Sequence, residues 1–104
     1  MKRPIYKLAE EDYAALAAEI KGRLQTPCYF TGTVESIGAG GESLRLTASL
    51  ILYRRRVADS AQYDAHDTIY DVASVWWDFL CEDEEGVIAD DFDYNKLLNH
   101  LIEE

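Results

Sequence analysis

The chain has 104 residues, 48% of them hydrophobic and 29% charged, which fits one globular domain spanning 1–104 and leaves no room for a second. No apolar run approaches the ~18 residues of a membrane span, and no apolar signal region follows the first residues. We therefore expect a cytoplasmic protein with no membrane partner. Two cysteines are too few for a disulfide framework.

The net charge of −10 is distributed unevenly along the chain. Residues 1–56 contain nine Lys/Arg and six Asp/Glu, whereas residues 57–104 contain one lysine and fourteen Asp/Glu. Because so acidic a surface repels nucleic acid, we expect no nucleic-acid partner. The same charge attracts basic proteins, so the C-terminal half is the predicted contact for a basic protein partner.

The first predicted element is a helix over residues 9–24. Acidic residues occupy its first turn and basic residues its last, which suits the helix dipole, and Pro27 prevents continuation. Its apolar residues recur at helical spacing and are predicted to face the core. They are Tyr13, Leu16, Ala17, Ile20 and Leu24.

Residues 28–37 and 42–56 both alternate between apolar and polar side chains, which is typical of strands with one face on a core. The glycine-rich segment 38–41 between them predicts a β-hairpin. A three-residue loop would place Val34 opposite Leu46 on the core face. The same register would place Glu35 opposite Arg45 on the other face, whereas a slip of one residue would break both matches.

Residues 57–67 are polar and show no period, which predicts a loop, and residues 68–81 then alternate as a third strand. One side of this strand is predicted to join the core: Ile69, Ala73, Val75, Trp77, Phe79 and Cys81. The other side consists of Tyr70, Val72, Ser74, Trp76, Asp78 and Leu80.

Residues 93–102 form the last predicted helix, because their apolar side chains repeat at helical spacing and Asp93 is placed to cap the first turn. The complete order is α-β-β-β-α, with no internal repeat and no linker. The predicted fold is therefore an α+β, two-layer domain in which a three-stranded antiparallel meander carries both helices on one face.

The residue types that carry chemistry do not form a recognisable site in the sequence. Neither His66 nor His100 has a second histidine or cysteine at ligand spacing, and Cys28 and Cys81 fall on apolar faces. The many carboxylates lack a partner in any known catalytic arrangement. We therefore predict no catalytic residue, no metal, no cofactor and no disulfide.

The second face of the predicted sheet is the candidate site. If the helices cover the leucines, this face keeps a tryptophan, tyrosines and aliphatic residues, which is more apolar than solvent requires. Aromatic residues with arginine are typical of interaction surfaces. Two alternatives remain: the 57–67 loop or a helix covers this face, or a partner does. The predicted interaction residues are Tyr29, Thr31, Thr33, Arg45, Thr47, Ile51, Tyr53, Val72, Trp76 and Asp78.

The element order matches that of double-stranded RNA-binding domains, but Asp90, Asp91 and Asp93 stand where those domains set basic residues. The analogy therefore fails. Segments 71–79 (DVASVWWDF), 91–93 (DFD) and 26–32 (TPCYFTG) resemble small uncharacterised proteins of Bacteroidetes-type bacteria. The resemblance covers most of the chain and implies a bacterial, cytoplasmic protein with no family of known function.

We expect a non-enzymatic protein-interaction module, a homodimer that associates through the second sheet face or an exposed strand edge. One alternative is an acidic inhibitor or DNA mimic that binds a basic partner. Another is a small-molecule-binding domain with its cavity between the sheet and the 57–67 loop.

Overall fold

The computed structural model describes residues 5–25, 28–38, 40–58 and 65–103. All strands in these ranges belong to one antiparallel sheet, in which each strand lies beside the next one along the chain. The α+β class is confirmed, whereas the predicted three-stranded meander is wrong in strand number, because a short fourth strand pairs with the end of the third. In chain order the elements are α1 (Glu10–Lys21), β1 (Tyr29–Ile37), β2 (Ser43–Ala58), β3 (Ala65–Asp83), β4 (Gly86–Ile88) and α2 (Tyr94–Leu101).

The turn from β3 into β4 explains the additional strand. Asp83 pairs with Gly86 across a two-residue turn, and the Asp83 carboxylate accepts the backbone N–H of Glu85 at 2.8 Å. Gly86 has a φ of 119°, a conformation that favours glycine. The strand that follows is three residues long, too short to show an alternation in the sequence.

The predicted register of the first hairpin is confirmed. Val34 lies opposite Leu46 in the core, and Glu35 lies opposite Arg45 on the other face. Arg45 Nε donates to Glu35 Oε1 at 3.0 Å. A one-residue slip would exchange the two faces, so burial of one face holds the register.

β3 departs from the predicted alternation at Val75. Ser49 of β2 lies opposite Trp76, but its neighbour Leu50 lies opposite Ser74, so Val75 has no cross-strand partner. Such a bulge places two residues opposite one and shifts the alternation by one position. Val75, predicted to join the core, is instead 66% exposed.

The bulge exchanges the faces of the residues that precede it. Val72, predicted on the second face, is buried in the core, whereas Ala73, predicted in the core, lies opposite Ile51 on the second face. A second irregularity at Tyr70 reverses the exchange, so that Ile69 is buried as predicted.

The predicted loop 57–67 is wrong at both ends. β2 continues to Ala58 and β3 begins at Ala65, and these two residues pair with each other. The cross-strand ladder satisfies the backbone of this polar stretch although its side chains show no apolar period. The paired ends prolong the ribbon along its own axis, and residues 59–64 of the predicted loop lie outside the described residues.

Both helices pack on the same face of the sheet, as predicted. The four apolar residues of α1 nearest the sheet are at most 2% exposed, and α2 adds two leucines to the same cluster. Asp93 is the N-cap of α2, as predicted, and its carboxylate accepts the N–H of Asn95 at 2.9 Å. The shared core consists of Leu8, Tyr13, Leu16, Ala17, Ile20, Phe30, Val34, Leu46, Ala48, Leu50, Leu52, Ile69, Val72, Leu97 and Leu101.

Polar contacts fasten the two helices to each other. The Tyr13 hydroxyl accepts the backbone N–H of Asp93 at 3.0 Å, just before α2 begins. At the other end of α2, His100 Nε2 lies 2.8 Å from Glu10 Oε2 in the first turn of α1. The helices therefore form one layer, which covers one side of the sheet.

Candidate interaction surface

The face of the sheet opposite the helices carries the candidate site, and we call it the outer face. Alternate residues of β1, β2 and β3 build it, because residues directly opposite each other in a sheet project to the same side. Its members include Tyr29, Thr31, Thr33, Glu35, Arg45, Thr47, Ser49, Ile51, Tyr53, Arg55, Tyr70, Asp71, Ala73, Trp76, Asp78, Leu80 and Glu82.

Nine of the ten predicted interaction residues lie on the outer face. The exception is Val72, which the bulge at Val75 turns into the core, where it is 8% exposed. Val72 is therefore removed from the candidate site. Whether the other nine bind a partner stays a prediction.

An exposed apolar patch occupies the half of the outer face towards Arg55. Trp76 is 51% exposed, and the four other members are between 36% and 43% exposed. Ile51 lies opposite Tyr29, and the rings of Tyr53 and Tyr70 lie 6.3 Å apart, so the patch is continuous. Large apolar patches are rare on monomers unless they are functional. The members of this apolar patch are Tyr29, Ile51, Tyr53, Tyr70 and Trp76.

The other half of the outer face is polar and well ordered by its own contacts. Arg45 lies between Glu35 and Glu82, with N···O distances of 3.0 and 3.8 Å. The hydroxyls of Thr33 and Thr47 lie 2.9 Å apart. Side chains held in place lose little freedom when a partner binds, so this half can fix the orientation of a bound surface.

The Arg55 side chain borders the apolar patch. The Arg55 guanidinium lies 5.4 Å from the centre of the Tyr70 ring, which is within the range of a cation–π contact. The patch therefore combines aromatic rings with an arginine, which is the composition enriched at the centres of protein interfaces.

The β1 edge of the sheet is partly occupied by the chain itself. Gln25 and Tyr29 exchange two backbone hydrogen bonds of 2.7 and 3.0 Å. Further along, Arg23 Nη1 donates to the carbonyl of Thr33 at 3.1 Å. These contacts use backbone groups that an added strand would need.

The β3 edge is blocked in a similar way. The backbone N–H of Glu103 donates to the carbonyl of Ile69 at 2.8 Å, and the Ile69 N–H donates to the Glu103 carboxylate at 3.0 Å. The N–H of Val72 donates to Asp71 Oδ1 at 2.9 Å. The bulge at Val75 and the pairing of β4 with residues 81–83 interrupt the remaining edge.

The bulge separates the observed faces of β3 from those that the sequence predicts. Unbroken alternation places Val75 and Ala73 in the core and Val72 on the second face, and all three lie elsewhere. One signal was present: Val75, Trp76 and Trp77 are three large apolar residues in a row, which a two-residue period does not produce.

Two turns at one end of the sheet enclose an open acidic hollow of about 390 Å³, lined by Gly40, Gly41, Glu42, Asp83, Glu84 and Glu85. Within the described residues, no three His, Cys, Asp or Glu side chains converge as metal ligands. The proposed contact between the acidic half and a basic protein stays a prediction.

The chain matches no protein-family model, no curated protein and no solved structure, which agrees with the expectation of no family of known function. The bacterial origin implied by the resemblance stays a prediction. Among the described residues, neither helix has the length and apolar character required to cross a membrane.

Proposed function

We propose that this protein is a non-enzymatic protein-interaction module that forms a homodimer through its outer face. The observation that carries the proposal is the apolar patch, whose five members are each at least 36% exposed although they include a tryptophan and three tyrosines. Burying such side chains against a second surface releases water from apolar area and stabilises the complex.

The size of the outer face supports this proposal. Three strands at ~4.8 Å spacing over about nine residues, with a two-strand extension to Arg55, give a plan area of about 600 Å² per copy. Two copies would bury about 1,200 Å², which is the lower limit for specific protein–protein interfaces. Contact through the outer face alone is therefore sufficient for a dimer of moderate affinity.

The state of the strand edges favours the outer face over an edge as the contact. Backbone groups at Tyr29 and Thr33 of β1 and at Ile69 and Val72 of β3 already have partners within the chain. Edge-to-edge pairing would have to displace them. Stacking through the outer face leaves every one of these hydrogen bonds in place.

A second copy is the proposed partner because closed two-fold dimers are the commonest assemblies of soluble proteins. In such a dimer the same apolar patch contributes to both sides of the interface. Two stacked antiparallel sheets would form a four-layer sandwich with helices on both outsides.

The test is a double substitution in the apolar patch, Trp76→Ala with Tyr53→Ala, followed by sedimentation equilibrium over a wide concentration range. Loss of each ring removes on the order of 2 kcal/mol of contact energy, so loss of two rings should raise the dimer dissociation constant by about a thousandfold or more. The matched control is Ile5→Ala, which removes a side chain that is 56% exposed but lies outside the sheet.

The unfolding of the monomer separates loss of contact from loss of fold. Because both substituted side chains are exposed, urea unfolding of the dilute variant should differ little from that of the dilute wild type. A wild-type protein that stays monomeric at high concentration contradicts the proposal, and so does an unchanged dissociation constant in the double variant.

A further inference from the structure

The charged residues of the outer face are arranged asymmetrically along the strands. Near the β1–β2 turn, Arg45 is paired with two glutamates, whereas the exposed Asp78 makes no ion pair with any residue that the structure describes. The opposite end carries Arg55 beside the Tyr70 ring. The exposed Asp71 also lies towards the Arg55 end of this face, opposite Tyr53. The outer face therefore has a carboxylate without an ion pair, Asp78, at one end, and a guanidinium accompanied by a carboxylate at the other.

The positions of these two groups are related through Ile51. Asp78 lies opposite Thr47 of β2, and Arg55 lies eight residues further along the same strand. We call the position of a residue along the strand direction its level. At ~3.4 Å per residue, about 27 Å separates the levels of Asp78 and Arg55, so these two side chains cannot meet within one chain. Ile51 is halfway between them and belongs to the apolar patch.

We propose that the second copy lies antiparallel on the outer face, with the two-fold axis at Ile51, so that Asp78 of each copy pairs with the partner's Arg55. This orientation rests on the proposed homodimer and specifies how its two copies are arranged. Ile51 meets the partner's Ile51 at the axis. The level of Tyr53 coincides with that of the partner's Trp76, so the aromatic side chains pack on each other.

The alternative arrangement, with strands of the two copies parallel, is opposed by charge. A two-fold axis along the strands would stack β2 on the partner's β2 at equal levels. Every residue would then keep its own level, so Asp78 would lie at the level of the partner's Thr47, about 27 Å from the partner's Arg55, and would be buried without a cation. A carboxylate that is buried without a cation destabilises an interface, which favours the antiparallel arrangement.

Packing geometry is compatible with this orientation. Stacked sheets lie ~10 Å apart with strand directions within about 30° of each other, so residues near the axis keep their levels. Residues four positions from the axis, such as Arg55, shift sideways by several ångströms. The long arginine side chain can cover that shift and still reach Asp78.

The test uses two charge reversals, Asp78→Arg and Arg55→Asp, each measured alone and then mixed in equal amounts. Each single variant places like charges together twice in its own homodimer, so its dissociation constant should rise about tenfold or more. In the mixture every introduced charge faces an opposite one, so a heterodimer of near wild-type affinity should form. The matched control is Glu84→Arg, an exposed acid of the β3–β4 turn, which should leave dimerisation unchanged.

The outcomes distinguish the orientation from the dimer itself. A dimer that tolerates Asp78→Arg, or single variants that do not recover on mixing although each remains folded by circular dichroism, overturns the antiparallel orientation and leaves the homodimer intact. A wild type that is monomeric at all concentrations overturns both. Recovery on mixing supports the orientation, because a purely structural effect of either substitution would persist in the mixture.

Discussion

One buried carboxylate fixes the beginning of the chain to the first helix. Asp12 is only 7% exposed, and its Oδ2 accepts hydrogen bonds from the Tyr6 hydroxyl at 2.8 Å and from the Ala9 N–H at 2.9 Å. A buried charge is tolerated only when it is hydrogen-bonded, and here both donors come from the segment that leads into α1. The contact thus orders the N-terminal segment and the first turn of α1 together.

Replacing the Asp12 carboxylate should lower the free energy of unfolding. Asp12→Ala leaves the Tyr6 hydroxyl and the Ala9 N–H without their acceptor, so we expect a loss of about 1–3 kcal/mol in the free energy of unfolding, measured by urea titration. Glu11→Ala is the matched control, because Glu11 is an exposed neighbour on the same helix turn. Equal losses for the two variants would contradict the role given to Asp12.

The two thiols differ in burial and should differ in reactivity. Burial raises the pKa of the Cys81 thiol, and together with the nearby carboxylates of Asp90 and Glu42 it brings this pKa to about 11. Only the thiolate reacts, and at pH 8 a thiol of pKa 11 is ionised in about one molecule in a thousand. Cys28 is only partly buried, at the entry to β1.

We therefore expect Ellman's reagent at pH 8 to modify Cys28 of the native protein well before Cys81, with both thiols reacting promptly in denaturant. Single variants Cys28→Ala and Cys81→Ala assign the two phases. Raising the pH towards 11 should accelerate the slow phase more than the fast one. A fast phase that persists in Cys28→Ala would show that Cys81 is accessible.

At the scale of elements, the bulge in β3 determines which side chains reach the outer face. Trp77 and Val72 both project towards the helices, although an unbroken strand would place them on opposite faces. Trp77 packs with its ring 5.3 Å from that of Tyr94, and Val72 joins the core. The extra residue at Val75 makes both placements compatible with one strand.

Deletion of Val75 is expected to preserve the fold. Without this residue, β3 alternates regularly from Asp71 to its end and every other side chain keeps its observed face, so the loss in unfolding free energy should stay below about 2 kcal/mol. Deletion of Thr47, in the regular part of β2, should unfold the protein because it turns Leu44 and Leu46 to the outer face. Near-UV circular dichroism and urea unfolding measure both, and a deletion of Val75 as damaging as that of Thr47 would contradict this account.

The first hairpin turn packs closely against the N-terminal segment because Gly38 has no side chain. A Cβ at Gly38 would overlap the Tyr6 hydroxyl, which is not free to move because it donates to Asp12. Gly38→Ala should therefore cost about 1–3 kcal/mol in thermal or urea unfolding.

Gly22→Ala provides the matched control for that substitution. Gly22 ends α1 with a φ of −73°, and a Cβ there would meet nothing closer than 3.4 Å. Because alanine adopts this conformation and restricts the unfolded chain, the variant should be neutral or more stable by about 0.4–1 kcal/mol. Destabilisation by Gly22→Ala equal to that of Gly38→Ala would remove the steric explanation.

At the scale of the whole molecule, the described chain is long and thin, with extents of 59 × 26 × 18 Å. The smallest extent fits one helix layer on one sheet layer and no third layer. The described residues of the predicted covering loop continue the β2–β3 ribbon instead of returning over the outer face. A layer supplied by a second copy is therefore the expected third layer.

A homodimer makes thermal stability depend on concentration. For two chains of this length, each tenfold increase in protein concentration should raise the melting temperature by about 3 °C. The variant carrying Trp76→Ala and Tyr53→Ala should show almost no dependence, and Ile5→Ala should behave as the wild type. Scanning calorimetry over a hundredfold range of concentration measures this, and a constant wild-type melting temperature would contradict the dimer.

The sequence by itself determined the local elements and the hairpin register. The positions of α1, β1, β2 and α2 and the pairing of Val34 with Leu46 follow from side-chain period, turn glycines and the Asp93 cap, because these signals act over a few residues. Nine of the ten surface residues were placed on the correct face for the same reason, since alternation alone assigns a face in a regular strand.

Only the tertiary structure decided where that alternation breaks. The bulge at Val75 lets Val72 and Trp77 both face the helix layer, where the partners are side chains more than fifteen residues away, such as Tyr94. The continuation of β2 and β3 into a polar segment was likewise decided by the ladder between two distant stretches of backbone. The sequence of one strand reveals the period of its side chains, but it does not reveal the shape of the helix layer against which the strand packs.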